Sequence, residues 1–332
     1  MKRRQVLRLG LQGGVTLAAA KAIHNVFLGY GRIGPGTNLR VQDLDRVAAD
    51  RFSVPNSYWG SVDGHDLVLD DERLWVGDDD DSWTTIDLDA DAPERALEVD
   101  DRFGFETQPL TELTTDLESL RVSAYTFEFH DVDGFFDRIA ASTSRPYTAD
   151  LLRGRRYRTA DPATVERFTD VSPTDPRALL EGFVPAFRRW TSYDVPRYVA
   201  GSVEDNVLFS RVELRRHFQP EATFEAIMAA DGVGLFCWEF TFLANEALHS
   251  LPAHEQQIPL LGCWVRDRRH KHIYNAFASV IRADGELVIP VSFVDYTHTT
   301  LYDDLSLTWL LGEGFDAYDT SHRADELYWD RF

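Results

Sequence analysis

DGVGLFCWEFTFLANEALHS, residues 231–250, decides how the second half of this chain is read. Asp231-Gly232 breaks a helical stretch over 221–230, and apolar residues then recur at the spacing of a new helix from about Phe236 to Leu248. Cys237, Thr241, Ala244 and Leu248 share one face of that helix. A cysteine in a first helical turn meets the positive end of the macrodipole, which favours its thiolate form. Outward from this helix, residues 229–298 hold both cysteines and half of the ten histidines, in the order Cys237, His270 and His272, Asp295. A thiol nucleophile, its base and the orienter of that base can be assembled from such a set.

The segments between these residues read as sheet. Residues 258–265 are apolar enough for a buried strand, 266–271 form a charged turn, and His272 opens a strand through 281. Asp284-Gly285 is a hairpin signal, and the return strand over 287–294 delivers Asp295 at its end. A helix followed by three strands therefore brings Cys237, a histidine and Asp295 towards one sheet edge.

Gly234-Leu235-Phe236-Cys237-Trp238, the strand region 270–280 and Asp295-Tyr296-Thr297, with the apolar strand from Ile258-Pro259 between them, resemble the core of the transglutaminase-like superfamily. The resemblance covers residues 229–298. It implies an α+β fold of mixed helices with an antiparallel sheet, and no cofactor. It makes Cys237 the nucleophile, His272 the base and Asp295 the residue that holds the imidazole, with Trp238, Asn275 and Tyr296 as candidate binding residues. Two departures bear on activity. Asn275-Ala276-Phe277 falls where the family carries His-Ala-Trp, which replaces the base with an amide. His272 enters only after a shift of three residues, an odd shift that points it to the opposite sheet face. The expectation is a catalytically silent protein with a binding or envelope-associated role. The alternative is a thiol-dependent amide hydrolase or transamidase.

The same residues support other readings. In an oxidising compartment Cys237 and Cys263 form an even pair suited to a disulfide, which would extinguish the nucleophile. His270 and His272 on one strand face, joined by His249, His254 or His298, would make a zinc site, though no zinc motif has this spacing, and no metal ligands are assigned. Asp87, Asp89, Asp91 and Glu98 imitate a calcium loop, but Ala92 stands where the turn needs glycine.

The rest of the chain sets the context. Fifty-five acidic residues against 34 basic ones give a formal net charge of -21, and Lys2, Lys21 and Lys271 are the only lysines. This acidic, arginine-retaining composition resembles that of proteins from salt-loving archaea, where concentrated salt screens self-repulsion. It argues against a nucleic-acid backbone as partner; a peptide or envelope component fits better. Lys2-Arg3-Arg4-Gln5-Val6-Leu7-Arg8 and the mildly apolar stretch after it resemble a twin-arginine export leader, with small residues for cleavage at Ala18-Ala19-Ala20. Export to the cell envelope or beyond is expected, a cytoplasmic protein being the alternative. No stretch is long and apolar enough to span a membrane. Residues 1–36 are thus read as leader and connection, 37–160 as an N-terminal α+β region and 161–332 as the transglutaminase-like α+β region.

Overall fold

The computed structural model describes residues 39–77, 82–154, 159–194, 197, 200, 220–230, 232–268, 272–297 and 322–329. The leader, the acidic run 78–81, His270, Lys271 and His298 lie outside the described residues. A short helix α1 (Leu44–Ala49) buries Leu44, Val47 and Ala48, the three apolar residues that its sequence spaces on one side. An antiparallel meander follows, in the order β1 (Tyr58–Val62), β2 (His65–Leu69), β3 (Arg73–Gly77) and β4 (Trp83–Asp87). Next come α2 (Ala92–Phe103) and α3 (Pro109–Arg121). Pro93 sits in the first turn of α2, where proline suits a helix start.

After α3 ends at Arg121, the chain enters β5 (Tyr125–Phe129). Asp131 then caps α4 (Val132–Ala140) by accepting a hydrogen bond from the Gly134 N–H at 2.8 Å. The elements β6 (Thr143–Ser144), α5 (Pro146–Arg153), α6 (Pro162–Thr169) and α7 (Pro176–Trp190) follow. Asp175 caps α7 through the Ala178 N–H. A short parallel pair links β7 (Thr191–Tyr193) to β8 (Val233–Leu235), with α8 (Phe224–Ala229) between them in sequence. The chain continues as α9 (Cys237–Leu248), β9 (Leu261–Asp267), β10 (His272–Ala278), β11 (Ile281–Ala283), β12 (Glu286–Val294) and β13 (Glu326–Tyr328).

The main sheet runs β13-β9-β10-β12-β11-β6, and β5 adds itself parallel to the free edge of β12. Asp284 and Gly285 both take positive φ in the turn from β11 to β12, as a tight hairpin requires. Alternation divides the buried side chains between two cores. Tyr274, Ala276, Ala278, Ile289 and Val291 face the β1–β4 sheet and helices α1, α2, α3 and α5. Phe277, Ile281, Val288 and Val294 face α4 and α6 to α9. The class is α+β. Residues on either side of position 160 build one sheet, since β5 and β6 pair with β12 and β11.

A buried carboxylate ties the N-terminal helices to that sheet. Asp116 on α3 accepts from Arg145 Nε at 2.8 Å, Arg282 Nε on β11 at 2.8 Å and Thr148 Oγ1 on α5 at 2.6 Å. Asp116→Ala would leave two guanidinium groups beside an uncompensated cavity, and removal of one partner from a buried ionic cluster costs about 3–5 kcal/mol. The expected result is a urea midpoint lowered accordingly, whereas a shift worth less than about 1 kcal/mol would show that the cluster is only an exposed-type contact.

Candidate active site

The site is assembled where α9 begins and where β10 starts and β12 ends. Gly234 on β8 lies so close to Asp194 that a Cβ there would stand 3.0 Å from the Asp194 Cβ, so a larger residue would have to push Asp194 aside by a few tenths of an ångström. Two residues later Phe236 takes extended backbone and opens α9. Its N–H donates to Glu239 Oε2 at 2.6 Å, the side-chain half of a capping box. Arg197 Nη1 contacts both Glu239 oxygens at 2.9 and 3.0 Å, and its guanidinium lies 4.2 Å above the Phe236 ring. Burial pushes the Glu239 carboxyl up in pKa, against the opposing Phe236 N–H and Arg197. Cys237 therefore stands in the first turn of a helix whose entry is clamped on both sides.

A ladder of side-chain amides fixes the path of that helix over the sheet. Asn275 Nδ2 on β10 donates to the Thr241 carbonyl and to Asn245 Oδ1, both at 2.9 Å, and Asn245 Nδ2 donates to the Cys263 carbonyl on β9 at 3.1 Å. These bonds lie beneath the middle of α9, which leaves Cys237 at the end of the sheet. Asn275 is thus a strut: it is 1% exposed and lies below the helix. Tyr296 is also 1% exposed, and its hydroxyl donates to the Leu180 carbonyl at 2.8 Å. Asn275 Nδ2 and the Tyr296 hydroxyl are thus committed to partners within the fold, while Asn275 Oδ1 has no hydrogen-bond partner among the described residues. Trp238, half-buried with Arg197 5.7 Å above its ring, keeps access to the surface.

The structure brings Cys237, His272 and Asp295 together. His272 is the first residue of β10, and Asp295 follows the last residue of β12. His272 Nε2 lies 2.6 Å from Asp295 Oδ2, and the Cys237 side chain is near enough to the ring to raise its pKa. A carboxylate oxygen can only accept, so Nε2 carries a proton and Nδ1 is the nitrogen left for the thiol. Asp295 Oδ1 accepts from the Thr297 N–H at 3.0 Å. Burial is the largest single influence on His272 and would lower its pKa, but the charges and hydrogen bonds of Asp295 and Cys237 prevail and carry it up to about 10. Neither cysteine is in a disulfide; Cys263 is wholly buried in β9 on the sheet face away from α9.

His272 does share the face of Tyr274, with rings 5.8 Å apart, as the odd register shift requires. It reaches Cys237 nonetheless because it sits at the strand end, where no further residue separates the two faces.

His322 is the member that the sequence reading missed. Its Nε2 lies 2.9 Å from the same Asp295 Oδ2, and its ring packs 4.7 Å from Tyr274. No local pattern marks it, because it returns from 27 residues beyond Asp295. His272, Asp295 and His322 offer ligand atoms within 4.8 Å of one another, the one such group among the described residues. Two ligands on a shared zinc with bonds of about 2.0–2.2 Å would stand about 3.3 Å apart in tetrahedral geometry. The 2.6 and 2.9 Å contacts are shorter and belong to direct hydrogen bonds. Of the other histidines named for zinc, two are described and bonded elsewhere: His249 Nε2 accepts from the Gly262 N–H at 2.7 Å, and His254 Nδ1 is 2.6 Å from Asp150.

No protein-family model, curated protein or solved structure matches the chain.

The raised His272 pKa has a signed consequence for stability. A group held protonated by the fold stabilises it fully below its unfolded value, about 6.5, and loses that contribution as pH rises through its folded value. The stability difference between wild type and His272→Gln is expected to shrink between pH 6.5 and about 10, the value to which this imidazole is raised. Urea unfolding of both proteins across that range measures it, and a constant difference would refute the charged imidazole.

Proposed function

We propose that the chain is a thiol-dependent acyl-transfer enzyme acting on amide bonds, with Cys237 as nucleophile. The observation that carries this reading is one buried imidazole hydrogen-bonded to Asp295 and raised in pKa by both Asp295 and the neighbouring Cys237 side chain. Cys237 Sγ attacks the carbonyl carbon, forming the S–C bond. His272, which holds the thiol proton at Nδ1, passes it to the leaving nitrogen as the C–N bond breaks. Water then cleaves the thioester to an acid, or an amine takes the acyl group in a cross-link. The Glu239 N–H of the first turn of α9 is taken by the Phe236 carbonyl at 3.0 Å, so the N–H groups of Cys237 and Trp238 are the ones proposed to receive developing charge on the carbonyl oxygen.

Asp295 is a positioning residue. It fixes the His272 tautomer, and its own orientation is held by the Thr297 N–H and His322. The binding-only reading rested on Asn275 in place of the base; its commitment to Thr241 and Asn245 supports a scaffold role that leaves the base to His272. The arrangement is consistent with a transglutaminase-like core made from α9, β9, β10 and β12. The basic leader and acidic composition support an exported enzyme adapted to high salt, and among the described residues no helix is long and apolar enough to cross a membrane.

The test is thiol reactivity. Iodoacetamide is expected to modify Cys237 rapidly near neutral pH and to spare the buried Cys263 in the folded protein, as read by peptide mass spectrometry. His272→Ala should slow the modification of Cys237 at least tenfold, and Asp295→Asn should do so to a lesser degree. Equal reactivity of the two cysteines, or a rate indifferent to His272→Ala, would remove the basis for an enzyme.

A further inference from the structure

A second concavity lies far from the thiol along α9, between the β1–β4 sheet and α5. It encloses about 570 Å³, within the roughly 300–1,000 Å³ of small-ligand pockets. β1 and β2 contribute Trp59, Ser61 and Asp66, and α5 contributes Asp150 and Arg153. Thr159 and the segment from His249 to His254 close the remaining side.

The chemistry of these walls narrows what could occupy the space. Arg153 is a cation, but its guanidinium is spent on the fold: Nε donates to the Leu260 carbonyl at 2.7 Å, Nη1 to the Leu251 carbonyl at 2.6 Å, and Nη2 to Gln256. With Asp66 and Asp150 also in the wall, an anion meets two carboxylates and no uncommitted guanidinium. A cation meets Arg153, and beside it His254, whose Nδ1 is already committed to Asp150. A hydrocarbon ligand would strip water from the serines, the threonine and the acids without replacing their hydrogen bonds. What remains is a neutral molecule with many hydroxyl groups.

One feature favours such a ligand positively. Trp59 is 51% exposed at the cavity wall, an unusual place for so large an apolar ring. It also borders a second cavity of about 330 Å³ on its other side, lined by Asn56, Ser57 and Val68. The row continues across the sheet, Trp59 opposite Val68, Val68 opposite Trp75, and Trp83 pairs with Gly77 in the next row at 47% exposure. An aromatic plate flanked by hydroxyl and carboxylate groups matches a pyranose, which has C–H groups on one face and hydroxyls around its rim.

We propose that this cavity and the tryptophan row beside it bind a neutral oligosaccharide, with Trp59 stacking on one sugar ring and Asp66 bonded to its hydroxyls. The site shares no residue with the Cys237 centre, so it stands independently of the acyl-transfer reading.

Isothermal titration calorimetry of the full chain with maltohexaose, cellohexaose and chitohexaose tests it. At least one of the three should bind saturably at millimolar concentration or below, with affinity little changed between low and high salt, because no net charge is exchanged. Trp59→Ala, at a half-exposed position, should weaken that binding at least tenfold with an unaltered melting temperature, and Asp66→Asn should weaken it about threefold or more. The proposal is overturned if none of the three neutral sugars binds. It is equally overturned if oligogalacturonate binds in their place, or if both variants bind as the wild type does.

Discussion

The register of β10 against β12 governs this molecule. Asn275 stands opposite Val294, so the residue after Val294 emerges at the end of the sheet beside the first residue of β10. Those two residues are Asp295 and His272. A slip of one position would send Phe293, Val291 and Ile289 to the α9 side and the Asp295 carboxylate away from the imidazole. Burial of both faces forbids such a slip, because each core depends on its own alternate set: Phe277 and Val294 on one side, Tyr274 and Ile289 on the other. The register is thus held by hydrocarbon, and the polar cluster at its end inherits a precision that its own hydrogen bonds could not supply.

The second constraint is the helix above the sheet. α9 is fixed beneath its centre by Asn275 and Asn245, on its flank by Phe240 against Phe187 at 4.9 Å, and at its entry by the Arg197–Glu239 pair. Both members of that pair are almost fully buried, and Glu239 also caps the helix start. Buried ion pairs of this kind contribute little net stability once desolvation is counted, and their usual value lies in selecting one geometry. Here that geometry is the position of the first turn. Asp295, bonded by two histidines and a backbone N–H, is over-determined in the same manner.

The polar interior also explains how an acidic chain keeps distant segments together. Asp116 gathers Arg145, Arg282 and Thr148 from three elements, and Arg153 gathers carbonyl groups from the end of α9 and the start of β9. Interactions between surface carboxylates weaken as salt rises, but these enclosed contacts are screened much less. An arginine-retaining composition therefore serves the interior as well as the exterior.

The sequence by itself determined what depends on neighbours along the chain. The start of α9 at Cys237, the caps at Asp131 and Asp175, the Asp284-Gly285 hairpin and the return strand ending at Asp295 all follow from local periodicity, capping and turn chemistry. The start of α2 likewise has a local signal in Pro93. Only the tertiary structure decided what depends on strand ends and distant returns. Alternation assigns His272 to the face away from α9, yet at the strand terminus there is no sheet left to separate it from Cys237. Asn275, aligned with a base, became a strut because α9 lies directly over it. His322 and the parallel strand β5 come from remote parts of the chain, and no local energy encodes a contact whose partner is brought there by the burial of everything between.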